Sequence, residues 1–133
     1  MDEVVLAIDP GTDKCGLAAA SQKGVLRQWV APRERLLKDV KEAVEVYGVR
    51  TIILGDGTGS KKFEAEISAA FPEISVAVVD EYRTTDAARE RYWREKPPKG
   101  WRRLLPVGMQ VPPEPYDDLV AVILAERYFE NRR

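Results

Sequence analysis

The chain opens with an apolar run, Val4 to Ile8, that ends on one carboxylate, Asp9, and turns at once through Pro10 and Gly11. Residues 3–9 read as a strand, and two further strands follow at 15–21 and 25–31, separated by the hairpin-type break Gln22-Lys23-Gly24. Beyond Pro32 the apolar spacing lengthens. Leu36, Leu37, Val40, Val44 and Tyr47 mark one face of a helix over 33–47, which Gly48 closes. Thr51-Ile52-Ile53-Leu54 is short and apolar on both faces, the pattern of a buried parallel strand. A second helix carries Phe63, Ile67, Ala70 and Phe71 and stops at Pro72; Ser75 to Val79 is a fifth strand. Thr84 caps a third helix over about 85–95, broken by Pro97-Pro98. Residues 99–115 are irregular and proline-rich, and a last helix runs from Asp117 to about Asn131, with 119–125 apolar all round and therefore buried.

The order β-β-β-α-β-α-β-α-α combines an antiparallel meander with parallel βα units. It predicts an α/β fold: a five-stranded mixed sheet in the order 3-2-1-4-5 with helices on both faces. With 133 residues and no repeat or linker, the whole of 1–133 reads as a single domain.

Composition narrows the chemistry. There is no histidine, which excludes Ser-His-Asp and Cys-His catalysis and histidine-ligated metals. The one cysteine, Cys15, excludes an internal disulfide and a zinc cluster. No apolar run is long enough for a membrane span, and the acidic start, Asp2 and Glu3, is unlike a signal peptide, so a cytoplasmic protein with no membrane partner is expected. Catalysis is left to carboxylates, lysine, tyrosine and hydroxyls.

Carboxylates fall where strands end and helices begin. Asp9 ends the first strand, Asp56 follows the fourth, Asp80 and Glu81 follow the fifth, and Asp117 and Asp118 open the last helix. In a 3-2-1-4-5 sheet, strands one and four run parallel side by side, so their C-terminal ends meet where open α/β sheets place their sites. Several carboxylates there would repel one another, and a hard divalent cation, Mg²⁺ or Mn²⁺, is the natural neutraliser. Two such ions can activate water and stabilise the leaving oxygen in phosphodiester cleavage. The plainer roles are an N-cap for Asp117, a turn residue for Asp56 and a surface pair with Arg83 for Glu81.

Three motifs in order carry a resemblance: Ile8-Asp9-Pro10-Gly11-Thr12 with Gly16-Leu17-Ala18; Asp80-Glu81 before Thr84-Thr85; and Asp117 with Ala121-Val122-Ile123-Leu124. Across nearly its whole length the chain resembles the YqgF/RuvX family, RuvC-like members of the RNase H-like superfamily. The opening motif also resembles that of sugar kinases and Hsp70-type ATPases, but those need two such domains to enclose ATP. The resemblance implies an RNase H-like fold and an endonuclease that resolves Holliday junctions or matures the 5′ end of 16S ribosomal RNA. By position it implies an acidic site of Asp9, Glu81 and Asp117, with Asp118 adjacent and the inward-pointing member of that pair open. Two departures stand out. Tyr82 takes the place of the family's arginine, and Gly55-Asp56-Gly57 replaces its Gly-Leu-Pro. RuvC places its second acid near the end of strand four, so Asp56 and Glu81 both stand as the second metal ligand.

Residues 83–103 hold eight basic side chains, Arg83, Arg89, Arg91, Arg94, Lys96, Lys99, Arg102 and Arg103, against the three acids Asp86, Glu90 and Glu95, in a chain of net charge −1. Tyr92, Trp93 and Trp101 lie among them. Cations meet phosphates and flat rings stack on unpaired bases, so this stretch is the expected nucleic-acid surface, with Arg83, Arg89, Arg94, Lys99, Trp101, Arg102 and Arg103 its contacts. The alternative is a charged helix face with its aromatic rings packed beneath. Function divides the same way, between a metal-dependent nuclease on ribosomal RNA precursor or branched DNA and a non-catalytic RNA- or DNA-binding factor. A junction resolvase calls for a two-fold homodimer, whereas an RNA-trimming enzyme can act as a monomer.

Overall fold

The computed structural model describes residues 3–56, 60–79, 84–96 and 117–131. Five strands form one sheet: β1 (Val5–Asp9), β2 (Lys14–Ser21), β3 (Gly24–Pro32), β4 (Thr51–Gly55) and β5 (Ser75–Val79), in the order β3-β2-β1-β4-β5. β1 pairs antiparallel with β2 and parallel with β4, as the pattern of the sequence predicts. A 3₁₀ turn at Arg33–Arg35 leads into α1 (Leu36–Tyr47). α2 (Ser60–Ala70), α3 (Thr84–Glu95) and α4 (Asp117–Asn131) complete the described elements. α1 ends on Gly48, whose φ of 67° is the left-handed conformation that lets its N–H reach the Val44 carbonyl at 3.1 Å.

Side-chain alternation splits the core in two. Leu6 and Ile8, Cys15, Leu17 and Ala19, and Ile52 and Leu54 face α1 and α2, where Leu36, Val40, Ala43 and Ile67 meet them. Val5 and Ala7, Ala18 and Ala20, Ile53 and Val79 face α4, against Ala121, Val122, Leu124, Ala125, Tyr128 and Phe129. The opposite side of α4, Leu119, Val120 and Ile123, packs on Ala88, Tyr92 and Trp93 of α3. α4 is therefore enclosed between sheet and helix, which is why its 119–125 segment is apolar all round.

Two of the expected helix faces differ. Leu37 is 36% exposed while Ala43 is buried, because the 3₁₀ turn sets the phase so that Leu36, Val40 and Ala43 point inward. Ala70 is exposed at the end of α2, and Ile67 carries the contact.

Candidate active site

β1 is the middle strand of the sheet, and Asp9 is its last residue, half-buried. Because Val5 and Ala7 face α4, alternation puts Asp9 on the α4 side as well. The register then supplies its neighbours. Gly16 on β2 stands directly opposite Asp9. On β4, Leu54 pairs with Ile8, so the next step sets Gly55 beside Asp9. Gly55 in turn pairs with Val79, and Gly16 with Val30. Across the C-terminal end of β1, then, the row reads Val30, Gly16, Asp9, Gly55, Val79. The carboxylate is flanked on both adjoining strands by residues without a side chain. The sequence reading passed over Gly16 and Gly55 as site residues, although the strand order together with the period of two would have found them.

The turn after Asp9 is tightly made. A Cβ on Gly11 would run into the carbonyl oxygen of Lys14, so only glycine fits there. The loop is tied down by the Arg33 N–H, which donates to the Asp13 carbonyl at 2.8 Å.

α4 begins at this same end of the sheet. Its final turns, with Glu126, Phe129 and Glu130, line a cavity shared with Ser21, Lys23 and Val25 of the β2–β3 hairpin, which lies at the far end of β1. Its first turn is placed by a bond from Gln28 Nε2 to Asp118 Oδ2 at 3.1 Å. Gln28 is on β3 opposite Ala18, so this bond ties the Asp118 carboxylate to the outer strand of the sheet. Asp117 is the first residue of α4, and its carboxylate lies outside the described residues. The positive end of the α4 dipole favours acids in this turn.

The other expected acids are placed as follows. Asp56 follows β4 in a bend, its N–H donating to the Val79 carbonyl at 3.1 Å, and it is exposed. Asp80 and Glu81 lie outside the described residues, immediately after β5. Among the described residues no three Asp, Glu, Cys or His side chains come together.

The basic stretch divides. Tyr92 and Trp93 are buried at 5% and 6% exposure, edge to face with centroids 5.1 Å apart, and they pack α3 onto α4. They are core residues, so for these two rings the alternative of a charged helix face with its aromatic rings packed beneath holds. Arg91 joins the two helices, with Nη1 2.7 Å from Glu126 and Nε 3.5 Å from Glu95. Arg89 is half-buried, whereas Arg94 is exposed, 3.9 Å from Glu90. Lys96 sits over the Tyr92 ring at 5.5 Å. Arg83, Lys99, Trp101, Arg102 and Arg103 lie outside the described residues.

No family model matches the chain. A protein of Acetivibrio thermocellus named "Putative pre-16S rRNA nuclease" is 28% identical over 145 residues, covering 96% of each chain. A Chlorobium phaeobacteroides protein of the same name is 33% identical over 97 residues, 63% of this chain and 67% of its own. The chain belongs to the YqgF family. Among solved structures, Thermus thermophilus RuvC matches 96% of each chain with a TM-score of 0.54 at 14% identity. The YqgF chain thus has the RuvC-like fold read from its motifs, with Asp9 on the central strand. Among its described residues no helix is long and apolar enough to cross a membrane.

Proposed function

We propose that this YqgF-family chain is a divalent-metal-dependent nuclease acting on structured RNA, with precursor 16S ribosomal RNA favoured over branched DNA. The observation that carries the reading is the position of Asp9: half-buried at the C-terminal end of the central strand, flanked by Gly16 and Gly55, at the end of the sheet where α4 starts. The relatives' name favours ribosomal RNA precursor as substrate and, with it, a cytoplasmic setting.

Asp9, Glu81 and Asp117 are the residues that would hold Mg²⁺ or Mn²⁺. The donor set fits: the chain has no histidine, and its one cysteine, Cys15, is buried on the opposite face of the sheet. That leaves oxygen ligands, which hard cations prefer. Bound there, such a cation supplies Lewis-acid polarisation of a phosphoryl oxygen and a lowered pKa for water. Asp118 holds the start of α4 to β3 through Gln28 and so sets where Asp117 begins the helix. Asp56, exposed just past the end of β4, stands as the alternative to Glu81 for the second ligand. Arg89 and Arg94 of α3, together with Arg83, Lys99, Trp101, Arg102 and Arg103, would meet the substrate backbone.

The test is a cleavage panel with Mg²⁺ or Mn²⁺, offering precursor 16S RNA and a four-way DNA junction to wild-type and Asp9→Asn protein. Charge stabilisation worth several kcal/mol at a metal site corresponds to a loss of at least about a hundredfold in the variant, with its circular-dichroism melt preserved. Full turnover by Asp9→Asn, or no turnover by wild type with either metal, would overturn the reading. In the second case, retained RNA binding would leave a non-catalytic binding factor.

A further inference from the structure

Among the described residues, one basic residue shares the face and the end of the sheet with Asp9. Lys14 is the first residue of β2, two positions before Gly16, and the alternation that sends Cys15, Leu17 and Ala19 to the α1 side sends Lys14, Gly16 and Ala18 to the α4 side. The register is regular through this segment, with Lys14 opposite Pro32, Gly16 opposite Val30 and Ala18 opposite Gln28; the irregularity comes only at Ala19/Ala20. Since Asp9 pairs with Gly16, Lys14 is its diagonal neighbour across the β1–β2 pair, about 7–8 Å away by backbone and within reach of a long side chain. Between them the Gly16 position carries no side chain. Lys14 is exposed, whereas Gly16 is buried and Asp9 half-buried, so the lysine marks the outer rim of the site.

The backbone that presents Lys14 is held from two sides. Gly11 approaches its carbonyl too closely for any other residue, and the neighbouring Asp13 carbonyl accepts the bond from Arg33. A lysine carried on a fixed backbone at the rim of an acidic site suits an anion that must approach against carboxylate repulsion. The lysine head is a compact point charge with three donors, matched to a phosphate oxygen without base preference.

Resting on the nuclease reading, we propose that Lys14 holds a backbone phosphate of the nucleic-acid strand at the rim beside Asp9, as a substrate-positioning contact separate from the basic stretch of 83–103. The experiment titrates a fluorescent single-stranded RNA into wild-type, Lys14→Gln and Lys14→Arg protein without divalent metal, over a series of salt concentrations. Inorganic phosphate and a mononucleotide serve as competitors. Expected are about tenfold weaker binding by Lys14→Gln, a slope of log affinity against log salt smaller by about one contact, and recovery in Lys14→Arg. Competition by inorganic phosphate or mononucleotide as strong, per phosphate, as that of unlabelled RNA would overturn the strand contact in favour of a free-phosphate site. Equal affinity and slope for wild type and Lys14→Gln would overturn the proposal outright. Failure of the nuclease reading is told apart by the wild type, which would then bind RNA with the Lys14-dependent slope yet never cleave it in Mg²⁺ or Mn²⁺.

Discussion

Asp9 can sit at the end of a buried strand because its neighbours make room for it. Gly16 stands opposite it on β2, Gly55 follows the residue paired with Ile8 on β4, and the turn that follows is shaped by Gly11. This last point is testable. Gly11→Ala would drive a methyl group into the Lys14 carbonyl and force the backbone between Asp9 and Lys14 to shift. Overpacking of this kind costs about 1–3 kcal/mol, read as a lower urea midpoint at unchanged slope. Because the same segment presents both Asp9 and Lys14, cleavage should fall further than the loss of folded protein accounts for. An Ala variant as stable and active as wild type would show that the turn has slack.

At the level of elements, the layering decides which residues face a ligand. α3 gives its apolar positions to α4, so Trp93 is a packing residue and Arg94 a solvent-facing one. Trp93→Ala should therefore cost about 3–5 kcal/mol in a chemical melt. Arg94→Ala should stay within about 0.5 kcal/mol of wild type while weakening RNA binding. The reverse outcome, a stable Trp93→Ala protein with weakened RNA binding, would return the ring to the substrate surface. The element order and sheet topology were legible in the sequence because strand period, helix period and turn residues agreed, with Ile52–Leu54 the clearest case. What periodicity leaves open is pairing. Whether Trp93 meets a base or Leu119, and that Gln28 bonds Asp118 ninety positions away, depends on tertiary neighbours. Asp9 stood out alone because a polar end to an apolar strand is a local signal. Its glycine flanks did not, because they belong to a register between three strands.

For the molecule as a whole, the proposed site should be a source of instability until a cation fills it. The net charge of −1 gives no long-range attraction to nucleic acid, so affinity must come from local features, and the acids proposed to join Asp9 would act against folding by mutual repulsion. Functional sites commonly trade stability in this way. Two opposite shifts follow for one substitution. Without metal, Asp9→Asn removes one repelling charge and should melt at or above the wild-type temperature. With Mn²⁺ at about a hundredfold its dissociation constant, mass action adds about 2.7 kcal/mol to the wild type, a rise of roughly 10 °C for a domain of this size, and little to the variant. The order of the two melting curves should thus invert on adding Mn²⁺ and revert with excess chelator. Equal rises in both proteins would mean that the ion binds elsewhere. A variant already unstable without metal would mean that Asp9 is needed for the fold itself rather than for a cation.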